Sequence, residues 1–165
     1  MGNYAKINWF DVANGEGIRT SLFVSGCTHR CKGCFNFEAW DFNYGEKLDE
    51  DIIDDIISHI TRKDRNIKGL SLLGGEPLEN EKSILPLAKK LKEVAPEKSV
   101  WLWTGFTWDS IKHMEVLKYV DVLIDGKFQE ENKNLKLKWR GSENQRVILV
   151  QESLKSNKII EMPGV

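Results

Sequence analysis

Two kinds of apolar pattern alternate along this 165-residue chain, and their alternation is the strongest constraint on its fold. Short runs rich in β-branched and aromatic residues predict strands, whereas apolar residues at helical spacing predict helices between them. The predicted strands cover residues 19–25, 69–73, 99–103, 119–124 and 146–150, and the predicted helices cover 49–63, 80–95 and 107–117. Strands that alternate with helices indicate a parallel sheet joined by right-handed crossovers.

The number of strand–helix units limits the architecture. There are too few units for an eight-stranded barrel, so we expect a single α/β domain built as a partial, open barrel with a mostly parallel sheet. This domain is predicted to cover residues 1–150, and residues 151–165 form a C-terminal tail that can belong to the same domain. In such folds, ligands lie at the carboxyl ends of the strands. The glycine-rich and cysteine-rich motifs of this chain follow predicted strands directly, which places them at that edge.

All three cysteines of the chain, Cys27, Cys31 and Cys34, lie within eight residues in the pattern C-x3-C-x2-C. Three closely spaced thiolates can bind three irons of a 4Fe–4S cluster. The fourth iron then stays open for chemistry, because clusters that only carry electrons usually have four cysteine ligands. Gly26 and Gly33 let the loop wrap around a compact group. An odd, clustered set of cysteines argues against a disulfide framework and predicts a reducing compartment, which we take to be the cytoplasm.

A zinc site made of the three cysteines and His29 is the alternative interpretation of the same segment. Structural zinc sites usually draw their ligands from two separated pairs. His29 lies between Cys27 and Cys31, where its ring would struggle to complete a tetrahedron with both neighbours. We therefore expect a cluster rather than zinc, and we expect His29 to be exposed or to lie outside the ligand set.

A second motif, Gly74-Gly75-Glu76-Pro77, follows the strand predicted over residues 69–73. Two glycines after a strand let a ligand approach the backbone and leave amide and carbonyl groups free to bond it. The carboxylate of Glu76 can accept hydrogen bonds from an ammonium group. Taken alone, the motif also fits an ordinary strand-to-helix turn, and the nearby cysteines make it an argument for a binding site.

Charge and hydropathy exclude several classes of function. The formal net charge is −1, so no global field attracts the chain to nucleic acid or to a membrane. No apolar run approaches the ~20 residues of a membrane span. The first residues have neither the basic nor the apolar region of a secretion signal. We therefore expect neither nucleic acid nor a membrane among the partners.

The order and spacing of CTHRCKGC and GGEP resemble the radical S-adenosylmethionine superfamily. The finer blocks NGEGIRTSLFVSGCTHRCKGCFN, LLGGEPL, VWLWTGF, VDVLIDGKF and WRGSENQRV are similar to the family of activating proteins of anaerobic ribonucleoside-triphosphate reductase. The resemblance covers residues 14–146 in colinear order. One position departs from the superfamily pattern, because Gly33 stands where an aromatic residue usually precedes the third cysteine. Phe35 would supply the aromatic contact to adenine instead.

The resemblance implies a partial barrel of the radical S-adenosylmethionine type and a defined set of site residues. Cys27, Cys31 and Cys34 would hold one 4Fe–4S cluster and serve catalysis, with S-adenosylmethionine on the open iron. The residues implied to contact S-adenosylmethionine are Gly74, Gly75 and Glu76 at its methionine amino group and Gly33, Cys34 and Phe35 at its adenosine.

The implied activity is that of an oxidoreductase that cleaves S-adenosylmethionine reductively and generates a glycyl radical on the large subunit of anaerobic ribonucleoside-triphosphate reductase. An electron donor such as flavodoxin would be a second partner. Residues 125–128 and 139–142 would either face the partner or the cofactor, or stabilise loops. Three alternatives stay open: an activating enzyme of another glycyl-radical enzyme such as pyruvate formate-lyase, a radical S-adenosylmethionine enzyme of small molecules, and a non-catalytic metal-binding module.

Overall fold

The chain folds around one mixed sheet of seven strands in the part that its computed structural model describes, residues 2–34 and 36–165. The strands are β1 (Asn3–Asp11), β2 (Arg19–Val24), β3 (Glu46–Lys47), β4 (Gly69–Gly74), β5 (Ser99–Trp103), β6 (Val122–Asp125) and β7 (Arg146–Leu149). Their order across the sheet is β3-β1-β2-β4-β5-β6-β7. The sheet is therefore open, with β3 and β7 at opposite edges.

Helices connect most of these strands. The α-helices of the described residues are α1 (Glu50–Thr61), α2 (Glu81–Val94), α3 (Trp108–Ile111) and α4 (Val150–Ser156). Short 3-10 helices cover Phe37–Trp40, Lys63–Arg65, Pro77–Asn80, Glu115–Tyr119 and Glu130–Asn132. The side chain of Asp49 caps α1, because its carboxylate accepts a hydrogen bond from the backbone N–H of Ile52 at 3.0 Å. None of the helices described combines the length and the apolar character that crossing a bilayer requires.

The centre of the sheet is parallel. The pairings of β2 with β4, β4 with β5, and β5 with β6 are parallel and agree with the alternation of strands and helices in the sequence. The outer pairings of β1 with β2, β1 with β3, and β6 with β7 are antiparallel. The sequence analysis predicted neither β1 nor β3. The assignment of this mixed sheet to a partial barrel of the radical S-adenosylmethionine type stays a prediction.

The larger hydrophobic core lies between the sheet and the helices α1 and α2. Leu22, Leu72 and Leu102 of the central strands are fully buried in it, as are the helix residues Ile56 and Leu87. This arrangement confirms the apolar periodicity from which both helices were predicted. Because successive side chains of a strand point to opposite faces, the neighbours of these leucines lie on the other side of the sheet.

The second face of the sheet carries polar and aromatic side chains. Ser21, Ser71 and Trp101 are register partners across β2, β4 and β5. Trp101 also belongs to a smaller buried cluster with Val122 and Val147. The second face therefore lacks the continuous aliphatic surface of the first, and it leads to the cavity described below.

The prediction of one helix over residues 107–117 is wrong. Helix α3 ends at Ile111, and a separate 3-10 helix begins at Glu115. Asp125, at the end of β6, caps the start of α3, because its carboxylate accepts a hydrogen bond from the backbone N–H of Trp108 at 2.9 Å. This contact is tertiary, and the local pattern of apolar residues does not contain it.

Residues 151–165 return to the sheet. Glu161 forms an antiparallel bridge with Ile148, and the backbone N–H of Met162 donates to the carbonyl of Val147 at 2.8 Å. These bonds attach the C-terminal segment to β7. The division of the chain at residue 150 stays a prediction.

Candidate functional site

The carboxyl ends of β2, β4, β5 and β6 open into one cavity of about 450 Å³. This size is typical of small-ligand sites, which span roughly 300–1,000 Å³. Its wall includes residues that follow each strand, namely Cys27 after β2, Gly75 and Glu76 after β4, Thr104 and Gly105 after β5, and Gly126 after β6. The site residues predicted from the sequence that line it are Cys27, Cys31, Gly33, Cys34, Gly74, Gly75 and Glu76. Phe35 lies outside the described residues.

The cysteine loop, residues 27–34, begins where β2 ends. Gly26 and Gly33 have φ angles of 107° and 81°, a region that side chains with a β-carbon rarely adopt. A β-carbon on Gly26 would also overlap the ring of Phe42. The N–H of Gly26 donates to the carbonyl of Ala39 at 2.7 Å. The start of the loop is therefore held against the 3-10 helix that follows it.

The three thiols are free and half-buried, and all three line the cavity. Burial raises the pKa of Cys27 to about 11 and also raises the pKa of Cys31. Both side chains therefore keep their proton near neutral pH, and iron would displace it, because metals bind the thiolate. Three sulfur donors at one cavity fit an iron–sulfur cluster better than a hard cation such as Mg²⁺.

A second group of possible metal ligands overlaps this loop. Donor atoms of Cys27, His29 and Glu79 lie within 4.8 Å of one another. Both carboxylate oxygens of Glu79 already accept hydrogen bonds from Thr28, at 2.8 Å from its N–H and 2.6 Å from its hydroxyl. Only Cys27 and His29 belong both to this group and to the zinc site considered from the sequence, so the group does not reproduce that zinc site.

The two glycines of the GGEP motif are required by the protein's own packing. Gly74 has a φ of 107°, and a β-carbon on it would lie 2.7 Å from the backbone of Phe23. The expectation that the amides of this turn are free to bond a ligand is wrong in two cases. The N–H of Gly75 donates to the carbonyl of Val24, and the N–H of Glu76 donates to that of Gly26, both at 2.8 Å.

The carboxylate of Glu76 is the centre of a buried hydrogen-bond network. Its Oε1 lies 2.6 Å from His29 Nε2 and accepts the N–H of Gly105 at 2.7 Å. The hydroxyl of Thr104 lies 2.9 Å from both oxygens, and the N–H of Leu78 donates to Oε2 at 2.9 Å. Glu76 itself is 1% exposed. Its contact with an ammonium group stays a prediction, while its observed partners belong to the cysteine loop and the end of β5.

Arg19 was not recognised from the sequence as more than the first residue of a strand. Arg19 is 1% exposed, and its guanidinium donates to Ser71 Oγ and Ser99 Oγ, each at 2.8 Å, and to the carbonyls of Leu70, Ser99 and Glu16. Burial lowers the pKa of Arg19 to about 10, so the group remains cationic at neutral pH. It joins β2, β4 and β5 at their amino ends. The sequence signal was an arginine as the first residue of a strand whose other residues are mostly buried.

The segment before β2 also reaches the cavity, because Ala13 and Asn14 line it. Asp11 holds this segment through the side chains of Ser21 and Asn14, at 2.6 and 2.7 Å, and through the N–H of Ala13 at 2.8 Å. Burial alone would raise the pKa of Asp11, but these hydrogen bonds lower it below its usual range. The carbonyl of Asn14 accepts the hydroxyl of Ser71 at 2.6 Å.

Comparisons with known proteins decide the family. Residues 13–148 match a family described as a 4Fe-4S single cluster domain. The anaerobic ribonucleoside-triphosphate reductase-activating protein of phage T4 is 44% identical over an alignment of 147 residues that covers 88% of this chain and 92% of that protein. This chain belongs to the family of anaerobic ribonucleoside-triphosphate reductase-activating proteins.

Two further members of this activating-protein family are similar to this chain over most of its length. The protein of that name from Haemophilus influenzae is 46% identical over an alignment of 149 residues that covers 87% of this chain and 95% of the relative. The one from Escherichia coli K12 is 40% identical over an alignment of 149 residues that covers 88% of this chain and 97% of the relative. The likeness therefore extends beyond the cysteine motif to the rest of the fold.

One wall of the cavity is aromatic and basic, and it is formed by Trp103, Trp139 and Arg140. The indole N–H of Trp103 donates to the carbonyl of Trp139 at 2.7 Å, and Trp139 adopts a φ of 60° that is uncommon for a bulky residue. Arg140 follows it and lines the cavity. Among the described residues, Arg140 Nε and Trp40 Nε1 are buried donors without a protein partner. Both residues line the cavity, so both donors are candidates for a ligand's acceptors.

The other residues that the sequence analysis placed at a rim divide into two groups. Phe128 and Gly126 line the cavity. Asp125 and Ser142 are buried and hold loops, because Asp125 binds the guanidinium of Arg146 at 2.6 Å and Ser142 accepts a backbone N–H at 3.1 Å. The loop-stabilising interpretation therefore fits Asp125 and Ser142.

Proposed function

We propose that this chain is a radical S-adenosylmethionine enzyme that generates a glycyl radical on anaerobic ribonucleoside-triphosphate reductase. The observation that carries this proposal is that all three cysteines of the chain line one ligand-sized cavity together with residues that follow four parallel strands. A fourth cysteine does not exist in the sequence, so a 4Fe–4S cluster bound here would keep one iron open.

Cys27, Cys31 and Cys34 would hold the cluster. When bound, the cluster and S-adenosylmethionine supply reductive cleavage of a carbon–sulfur bond and abstraction of a hydrogen atom from the partner's glycine. The protein's task is to orient the bound groups and to exclude water from them. The half-buried thiols and the aromatic wall formed by Trp103 and Trp139 suit that task.

Two buried donors support a ligand that carries acceptor groups. Arg140 Nε and Trp40 Nε1 have no partner among the described residues, although a buried donor without a partner is costly. A carboxylate such as that of S-adenosylmethionine would satisfy the guanidinium of Arg140 with a charge-assisted hydrogen bond. Gly33 and Cys34 are proposed to lie against the adenosine, and Gly74, Gly75 and Glu76 to surround the methionine amino group.

The names of the relatives support the choice of partner. The proteins from phage T4 and from two bacteria are each named as activators of anaerobic ribonucleoside-triphosphate reductase. We propose that the large subunit of that reductase is the substrate of this chain. We also propose that an electron donor such as flavodoxin reduces the cluster and that the protein acts in the cytoplasm. The partial barrel of the radical S-adenosylmethionine type belongs to the same proposal.

The decisive experiment is anaerobic electron paramagnetic resonance on the reconstituted, reduced protein mixed with S-adenosylmethionine and the reductase from the same source. A glycyl-radical doublet that requires every component is expected. The Cys34→Ala variant should give no doublet, whereas His113→Ala, a change at an exposed helix-flanking residue, should leave it intact.

Other outcomes of this experiment separate the alternatives. Cleavage of S-adenosylmethionine without a doublet would keep the chemistry and overturn the partner, so pyruvate formate-lyase would be tested next. Turnover without any partner protein would indicate a small-molecule substrate. Neither signal from a protein with full iron and sulfide content would leave the metal-binding module as the remaining interpretation.

A further inference from the structure

His29 sits in the middle of the cysteine loop, yet its imidazole is directed into the protein. Its Nε2 lies 2.6 Å from Glu76 Oε1, and the two side chains are 7% and 1% exposed. The ring of Phe106 packs edge-on against the imidazole with centroids 4.6 Å apart. The imidazole is therefore held on one side by a carboxylate and on another by an aromatic ring.

The slot that holds this imidazole depends on Gly105. A β-carbon on Gly105 would lie 2.7 Å from two atoms of the His29 ring. Any larger residue at this position would push the ring away from Glu76. The slot is thus formed by residues that follow β4 and β5, whereas the histidine comes from the loop that follows β2.

The hydrogen bonds that Glu76 accepts determine whether His29 donates to it or accepts from it. The carboxylate of Glu76 also receives the N–H groups of Leu78 and Gly105 and the hydroxyl of Thr104. A carboxylate that receives these donors acts as an acceptor, so His29 donates its Nε2–H to it. A bond between a buried carboxylate and a donor is stronger than a neutral pair, and it fixes the orientation of the ring.

We propose that His29 is a positioning residue, which ties the middle of the cysteine loop to the Gly-Gly-Glu turn and thereby sets the separation between the two halves of the S-adenosylmethionine site. The inference rests on the proposed function, in which the cysteines hold the cluster and the turn after β4 contacts the methionine end. The two halves belong to segments that are distant in the sequence, since His29 and Glu76 are 47 residues apart.

Other bonds join the same two segments, but they do not hold the middle of the cysteine loop as His29 does. The N–H of Glu76 donates to the carbonyl of Gly26 at 2.8 Å, directly before the loop begins. Thr28 bonds Glu79 through its N–H and its hydroxyl, but both of these contacts are exposed to water. Hydrogen bonds that water can replace contribute less than buried ones. Loss of the imidazole should therefore loosen the cysteine loop even though Thr28 keeps its partner.

The first test measures the tie without any cofactor. Hydrogen–deuterium exchange of the apo protein is compared for wild type, His29→Leu, His29→Gln and the exposed control His113→Leu. Leucine keeps the volume and removes the donor, whereas glutamine restores an N–H at a similar reach. We expect amides of residues 27–34 to exchange roughly tenfold faster in His29→Leu, and within about threefold of wild type in His29→Gln and the control.

The second test measures the consequence for the ligand. S-adenosylmethionine affinity is measured by equilibrium dialysis on the same proteins, reconstituted to equal iron and sulfide content. The expected result is a Kd raised about tenfold or more in His29→Leu and largely rescued in His29→Gln, since loss of a buried bond to a charged group corresponds to at least one decade. A purely structural role would lower the melting temperature of both variants without this rescue.

The outcomes separate this inference from the proposed function. If wild type binds S-adenosylmethionine while His29→Leu shows unchanged exchange and unchanged affinity, the positioning role is overturned and the proposed function stands. If His29→Leu loosens the loop but wild type binds no S-adenosylmethionine, the proposed function fails although the tie exists. If His29→Gln behaves like His29→Leu in both assays, the hydrogen bond is not what holds the loop, and the inference fails.

Discussion

Replacing Arg19 by methionine should destabilise the apo protein by about 4 kcal/mol, because a buried cation with five hydrogen bonds joins the three central strands. Methionine fills similar volume but donates no hydrogen bond. It would leave the hydroxyls of Ser71 and Ser99 and the carbonyls of Leu70, Ser99 and Glu16 without this partner.

The magnitude follows from two opposing contributions. A net hydrogen bond to a charged group contributes roughly 1.5–3 kcal/mol, so five such bonds would contribute about 7.5–15 kcal/mol, which is as much as the free energy of unfolding of a whole domain, about 5–15 kcal/mol. Taking the guanidinium of Arg19 out of water costs several kcal/mol and offsets much of that gain. The remainder is about 4 kcal/mol, because removal of the cation leaves neutral buried acceptors without a partner and each of them costs roughly 1–3 kcal/mol.

Urea unfolding of the apo protein, followed by circular dichroism under reducing conditions, measures this free energy. The control is Arg62→Met, since Arg62 pairs with Asp64 at 2.8 Å but its side chain is 51% exposed. An exposed pair contributes little, so the control should stay within about 0.5 kcal/mol of wild type. A loss below about 1 kcal/mol in Arg19→Met, at an unchanged dependence on urea, would show that an apolar side chain replaces the cation and would refute the reasoning.

Two further changes test the packing of the turn after β4 and of a buried histidine. Gly74→Ala should lower the free energy of unfolding by roughly 2 kcal/mol or more, because the new β-carbon is strained at this φ and clashes with the backbone of Phe23. Gly164→Ala is the control, since Gly164 also has a positive φ but has no neighbour within 4 Å, and it should lower the free energy of unfolding less. Thermal melts compare the two variants, and equal losses would exclude the clash. His59 has its pKa lowered by burial and by Arg65, so the unfolded chain binds more protons below about pH 6.5 and stability falls as the pH drops through that value. Melting temperatures from pH 7.5 to 5 should show a shallower acid loss in His59→Leu than in wild type and in His113→Leu; equal slopes would exclude His59 as the titrating group.

The apolar periodicity of the sequence predicted one central strand and the two longest helices closely. The strand predicted over residues 99–103 has the same bounds in the structure, and the helices α1 and α2 lie within two residues of the predicted limits. Strand β1 was missed because most of its residues are only half-buried, so the alternation of apolar and polar residues is weak. Strand β3 has two residues, which is too short for any periodic pattern to register.

The candidate site shows the same division. The cysteines and the Gly-Gly-Glu turn meet because both follow parallel strands, and that rule can be applied to a sequence. The partners of Arg19 and Glu76 could not be predicted in this way. Arg19 reaches Ser99, 80 positions away, and Glu76 reaches Gly105, 29 positions away, through contacts that exist only after the sheet has formed.

The two faces of the sheet therefore respond differently to substitution. On the helix side, Leu72 packs in an aliphatic core, and shortening it would change stability without touching the cavity. On the other side, small polar residues such as Ser21 and Ser71 leave room that is filled by Arg19 toward the amino ends of the strands. Toward the carboxyl ends, the same face borders the cavity, where Trp103 and the cysteines lie. A change on this face alters stability and ligand geometry together, because Ser71 also bonds the carbonyl of the cavity residue Asn14. Substitutions intended to probe chemistry alone are best placed at the three cysteines or at Arg140, which are not part of the sheet.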